Sequence, residues 1–145
     1  MVRPSILITD DDAALRATLH CMLEPLGYRL CTAGDGEEAL DIVTRQEIHL
    51  LLCDYQMPRL SGLETIQRVR SLNTLLPCIL MSGGLDEMVI AEAERLKAFS
   101  ILAKPVPRQL LRSTVQSALE RCYGWTTPTT INPESPGFLC DGERN

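Results

Sequence analysis

LLLCDYQMPRLSGLE, residues 50–64, opens as an apolar run, stops at an acid, crosses a Met-Pro loop and passes into a helical pattern. The run His49–Cys53 has the length of a strand rather than a helix. It does not alternate polar with apolar residues, as expected of a central parallel strand covered on both faces. Downstream, Leu63, Ile66 and Val69 recur at helical spacing and mark one apolar stripe.

Working outward, the same unit repeats. Apolar runs at Ser5–Thr9, Tyr28–Ala33, Pro77–Met81 and Phe99–Ala103 predict four more strands, the mixed run YRLCTA (28–33) reading as an edge strand. Between and after them lie helical stripes: Leu15, Leu19, Met22, Leu23 and Leu26; Ala39, Leu40 and Val43; Val89, Ala93 and Leu96; Leu111, Val115, Ala118, Leu119 and Cys122. Glu24-Pro25, Leu26-Gly27 and Leu76-Pro77 supply stops and turns. Regular βα alternation with short connections implies right-handed crossovers and a doubly wound parallel sheet. In such a sheet the site lies beyond the carboxyl ends of the strands, where the strand order reverses.

Those strand ends carry polar residues: Asp10-Asp11-Asp12 after the first, Asp54 after the third, Ser82 after the fourth and Lys104-Pro105 after the fifth. Singly, each has a plain structural explanation, such as Asp11 or Asp12 capping the first helix. Together they do not, because carboxylates gathered at neighbouring strand ends repel unless a cation offsets them. Oxygen-only ligands favour a hard ion such as Mg²⁺, which is usually held by one or two carboxylates plus phosphate and water.

Composition sets the wider bounds. A chain of 145 residues with 45% hydrophobic and 23% charged residues has the make-up of one globular domain. Its net charge of −5 argues against direct nucleic-acid binding. No apolar stretch is long enough for a membrane span, and the N-terminus meets acid too early for a secretory signal, so a cytoplasmic location is expected. Six scattered cysteines form no C-x-x-C pair; Cys21, Cys31, Cys53 and Cys78 read as small buried hydrophobes. Residues 1–122 form the expected domain. Residues 123–145, rich in Pro, Thr and Gly, form an expected flexible tail, with docking through Trp125 or Phe138 as the alternative.

ILITDDD, LLLCDYQMPRLSGLE, CILMSGG and ILAKPV, in this order and spacing, resemble the response-regulator receiver domains over about residues 4–121. The resemblance implies a flavodoxin-like (βα)5 domain, a five-stranded parallel sheet of order 2-1-3-4-5. It implies phosphorylation of Asp54 by a histidine kinase or phosphotransfer protein in a two-component phosphorelay. Asp11, Asp54 and the backbone carbonyl of Gln56 would bind Mg²⁺ directly, and Asp10 largely through water. Lys104 and Ser82 would bind the phosphoryl group, and the Lys104–Pro105 bond would be cis. Gly62 stands at the family's loop glycine. Where the family commonly has Tyr or Phe, this chain has Ile101, with Phe99 on the same side of the strand as an alternative. Gly83 and Gly84 would leave the following loop mobile. With no DNA-binding domain following, the chain reads as a stand-alone receiver, not an enzyme. It would signal to a protein target through its α4–β5–α5 face, about Asp86–Glu120, and a homodimer stays open. The competing readings are a constitutive binding module and a Mg²⁺-dependent phosphatase with an aspartyl intermediate.

Overall fold

A computed structural model of the protein describes residues 3–126. Five parallel strands, β1 (Ser5–Thr9), β2 (Arg29–Ala33), β3 (Leu50–Asp54), β4 (Cys78–Ser82) and β5 (Ser100–Ala103), form one sheet of order β2-β1-β3-β4-β5. They alternate with helices α1 (Ala13–Leu23), α2 (Gly36–Arg45), α3 (Gly62–Leu72), α4 (Glu87–Arg95) and α5 (Arg108–Tyr123). The expected fold and strand order are therefore observed, with β2 at one edge. The stripe reaching Leu26 ends α1 at Leu23 and continues as a single 3₁₀ turn, Glu24–Leu26, because Pro25 cannot donate to the α-helical ladder.

Period-two alternation divides each apolar run between two cores. Ile6, Ile8, Leu50, Leu52, Ile79 and Met81 face α1 and α5, where Leu19, Leu23, Leu111, Val115 and Leu119 are buried against them. Leu7, Leu51, Cys53, Cys78 and Leu80 face α2, α3 and α4 through Ala39, Ile42, Ile66, Val69 and Val89. Both sets are completely buried on β3, which is why its sequence shows no alternation.

The helix starts are held by side chains. Asp12 accepts from the Ala14 and Leu15 amides, Asp35 from Glu38 N–H, Asp86 from Val89 N–H, and Ser61 with Glu64 closes a capping box. Of the cysteines expected to be buried, Cys53 and Cys78 are. Cys21 and Cys31 are only partly covered, since they lie towards the rims of α1 and of the edge strand β2.

Ordered structure extends past residue 122. Tyr123 ends α5, Gly124 turns the chain with a left-handed backbone (φ 73°), and Trp125 stacks on Tyr123 at 4.4 Å. Both rings meet His49 edge-on, and Tyr123 Oη donates to the His49 carbonyl at 2.7 Å. The expected tail thus begins docked on its own domain through Trp125; residues 127–145, with Phe138 and Cys140, lie outside the described residues.

Candidate functional site

The sheet reverses its order at β1, whose neighbours are β2 and β3, and an open pocket of about 750 Å³ lies beyond the strand ends there. Asp10, Asp11, Asp54, Gln56, Gly83 and Lys104 line it. Oxygens of Asp10, Asp11 and Asp54 all lie within 4.8 Å of one another. Lys104 Nζ bridges two of these acids, at 2.9 Å from Asp10 Oδ2 and 2.9 Å from Asp54 Oδ1. Residues 94 positions apart in sequence therefore share one contact.

The three acids are not equivalent. Asp10 is completely buried, and both its carboxylate oxygens are engaged within the chain: Oδ1 accepts from Asp12 N–H at 2.9 Å and Oδ2 from Lys104. Asp11 is exposed towards the pocket, and Asp54 is buried at the end of β3. Asp12 caps α1 and also lines the pocket, so it serves the helix while standing at the site.

Burial pushes the Asp54 carboxyl up from its ordinary range; the Lys104 hydrogen bond opposes this, the Asp10 charge adds to it, and a hydrogen bond from the Gln56 backbone opposes it too. Burial also disfavours the Lys104 ammonium, yet its bonds to Asp10 and Asp54 prevail and the net shift is upward. The two shifts look contradictory for one ion pair, since Lys104 should lower an acid it binds. They are reconciled first by burial, which penalises the Asp54 carboxylate more than Lys104 relieves it, and then by the second carboxylate, since one ammonium serves two buried acids. Three carboxylates against one ammonium, all oxygen donors, fit a hard divalent cation. Asp10 has both oxygens hydrogen-bonded within the chain and Asp54 accepts from Lys104 and the Gln56 backbone, which leaves the exposed Asp11 as the least engaged of the three.

Ser82 ends β4 and is buried, but it does not line the pocket. Its hydroxyl donates to the Gly84 carbonyl at 2.9 Å and accepts from Gly84 N–H at 3.2 Å. Gly83 takes the place on the pocket wall, and a Cβ on either glycine would meet nothing within 4 Å. The Lys104–Pro105 bond is cis, and Lys104 N–H donates to the Ser82 carbonyl at 2.8 Å.

Ile101 lies on β5 opposite Leu80 and packs, partly buried, with the core under α2–α4. Phe99 packs on the other core, beside α5, and so does not share a side with Ile101. The expectation fails because β5 begins only at Ser100, and Phe99 precedes the regular pleat.

Three residues near the site carried no signal in the sequence. Arg16 Nη1 donates to the Asp10 carbonyl at 2.5 Å, and Arg59 Nη2 donates to Asp35 Oδ2 at 2.8 Å. Arg59 and Asp35 are 24 residues apart, and no local pattern links them. The loop glycine Gly62 has a steric reason: a Cβ there would lie 2.2 Å from the Asp54 carbonyl oxygen.

The chain is similar to known proteins. The family described as "Response regulator receiver domain" matches residues 6–116. The probable chemotaxis protein CheY of Rhizobium etli is 33% identical over 115 residues, covering 77% of this chain and 89% of that protein. The transcriptional regulatory protein ZraR of Escherichia coli K12 is 30% identical over 131 residues, 90% of this chain but 28% of the relative. The chain thus spans under a third of that regulator's length. Among solved structures, the receiver domain of an HD domain-containing protein from Pseudomonas fluorescens Pf-5 superposes with a TM-score of 0.81 at 28% identity, covering 86% of this chain and all of that one. Strand order, acidic pocket and bridging lysine agree with a match that covers nearly the whole described domain, and the chain belongs to the family of response regulator receiver domains of two-component signalling.

Proposed function

We propose that Asp54 accepts a phosphoryl group from a histidine kinase or phosphotransfer protein. The observation that carries this reading is the cluster of Asp10, Asp11 and Asp54 within 4.8 Å, bridged by Lys104. A carboxylate oxygen of Asp54 attacks phosphorus, the P–N bond of the donor phosphohistidine breaks, and its electron pair stays with the imidazole. The product is an acyl phosphate on Asp54. Lys104 is placed to hold a phosphoryl oxygen, exchanging one carboxylate partner for it.

Asp11, Asp54 and the Gln56 backbone carbonyl would hold Mg²⁺ here, with Asp10 acting through water. When bound, the ion supplies charge neutralisation for phosphoryl transfer. Ser82 would engage the phosphoryl group on leaving Gly84. Among the described residues no helix is long and apolar enough to cross a membrane, which supports a cytoplasmic receiver. We assign it a signalling role, with no enzymatic turnover of its own, that passes to a protein target through α4, β5 and α5. These helices, with their exposed Met88 and Leu110, support such a face.

The test is incubation with Mg²⁺ and acetyl phosphate, followed by intact-mass analysis. One added phosphate, absent from Asp54→Asn, is expected. No modification together with no Mg²⁺ binding would leave a constitutive binding module as the better reading, and turnover of unrelated phosphate esters would favour an enzyme.

A further inference from the structure

Two described residues other than glycine have a left-handed backbone, Arg59 (φ 70°) and Lys97 (φ 57°). Lys97 follows the end of α4, a common place for that conformation. Arg59 has no such excuse. It stands in the middle of the loop between β3 and α3, directly after the pocket residue Pro58. Side chains with a Cβ rarely adopt this conformation unless the surroundings impose it.

The surroundings come from the turn between β2 and α2. Arg59 Nη2 meets one oxygen of Asp35 at 2.8 Å, and the other oxygen caps α2 through Glu38 N–H at 2.8 Å. Beside it, Gly36 approaches the loop so closely that a Cβ would lie 2.2 Å from Thr65 Oγ1 and 2.9 Å from Leu60 Cβ. The loop itself is closed by bonds from Leu60 N–H to the Pro58 carbonyl (2.9 Å) and from Gly62 N–H to the Tyr55 carbonyl (2.8 Å). Inside that closure lies Gln56, on the pocket wall.

We propose that Asp35 and Arg59 are positioning residues of the phosphoacceptor loop. Their ion pair holds the left-handed turn at Arg59 and thereby sets the Gln56 backbone against the pocket, tuning the site's affinity for a divalent cation. The affinity half of this inference rests on the metal-assisted chemistry proposed for Asp54. Neither residue touches the reacting groups. The bland alternative is an exposed pair that holds nothing, for the Arg59 side chain is 64% exposed.

Four variants separate the two. Asp35→Asn keeps an oxygen to cap α2 and loses the charge. Arg59→Ala loses the pair and keeps the backbone strain, whereas Arg59→Gly loses both. The fourth combines Asp35→Asn with Arg59→Gly. Calorimetric titration with Mg²⁺ alone should show binding weakened by about two- to fivefold in Asp35→Asn and Arg59→Ala, the range open to a partly exposed pair. Amide exchange at Gly62 should quicken in the same two variants, and concentrated salt should produce the same changes in the wild type. Arg59→Gly should stay near wild type, and adding Asp35→Asn to it should change nothing further. The proposal is overturned if Asp35→Asn leaves both readouts unchanged, if its effect persists in the Arg59→Gly background, or if Arg59→Gly is as damaging as Arg59→Ala. Should the wild type bind no Mg²⁺, the metal reading of the site fails instead, and Gly62 exchange still decides whether the pair holds the turn.

Discussion

Replacing Lys104 by Met keeps the aliphatic stem and removes the ammonium that bridges Asp10 and Asp54. At an effective dielectric of about 20, each contact at 2.9 Å is worth roughly 6 kcal/mol before desolvation. Most of that is offset by withdrawing the charges from water. Removing one partner of a buried pair costs about 3–5 kcal/mol in practice. The Lys104 side chain is 20% exposed beside an open pocket, so about 2–3 kcal/mol is the expected loss, or roughly 8–12 °C in Tm for a domain of this size. The loss has a pH signature. Asp54 already titrates above its ordinary range, so the folded state holds the proton to higher pH than the unfolded chain does. Its contribution to stability is therefore full below the ordinary carboxylate range and is lost as pH rises through the raised folded value. Without Lys104 its main opposing contact is gone and the raising grows. The deficit of the variant should be largest near neutral pH, where the Asp54 carboxylate lacks its counter-ion, and should shrink on acidification as Asp54 takes up its proton. Added Mg²⁺ should shrink it as well, because the variant lacks the competing ammonium and its folded state binds the cation more tightly than the wild type does. Urea unfolding at neutral and acid pH, with and without Mg²⁺, measures all of this. A deficit of equal size in acid and at neutrality, or none at neutrality, would refute the view of Lys104 as counter-ion to two buried acids.

Other variants probe neighbouring features. Asp12→Ala should cost about 1 kcal/mol in urea unfolding through the lost α1 cap. Gly62→Ala should destabilise by at least about 2 kcal/mol or displace the loop, because its methyl would overlap the Asp54 carbonyl; wild-type stability with unchanged Asp54 amide shifts would count against it. Tyr123→Phe should lose about 1 kcal/mol with the bond to His49, and the chain's single tryptophan, Trp125, should show red-shifted fluorescence if its ring then loosens.

Much of the fold was legible because each β run shows its environment directly. Full burial of both faces of β3 writes an uninterrupted apolar run, and the half-exposed edge strand β2 writes a mixed one. The site acids and Lys104 were legible because a parallel sheet delivers all its strand ends to one side. What stayed hidden depends on geometry that spacing does not encode. Phe99 and Ile101 are two residues apart, yet they face opposite cores because the pleat starts between them. The Arg59–Asp35 pair joins two loops that become neighbours only after α2 packs on α3. Trp125 sits in a segment of tail-like composition, and only its ring contacts with Tyr123 and His49 show that the chain turns back.

The Ser82 hydroxyl owns a single hydrogen, and in this structure Gly84 receives it. A new acceptor arriving in the pocket can take that hydrogen only if the Gly84 carbonyl gives it up, and the Gly84 amide keeps its acceptor only while the Ser82 oxygen stays in place. The two arrangements exclude each other, as the positions of a two-way valve do. A group bound at Asp54 could therefore not recruit Ser82 by degrees: the backbone after β4 would have to find new partners in the same event.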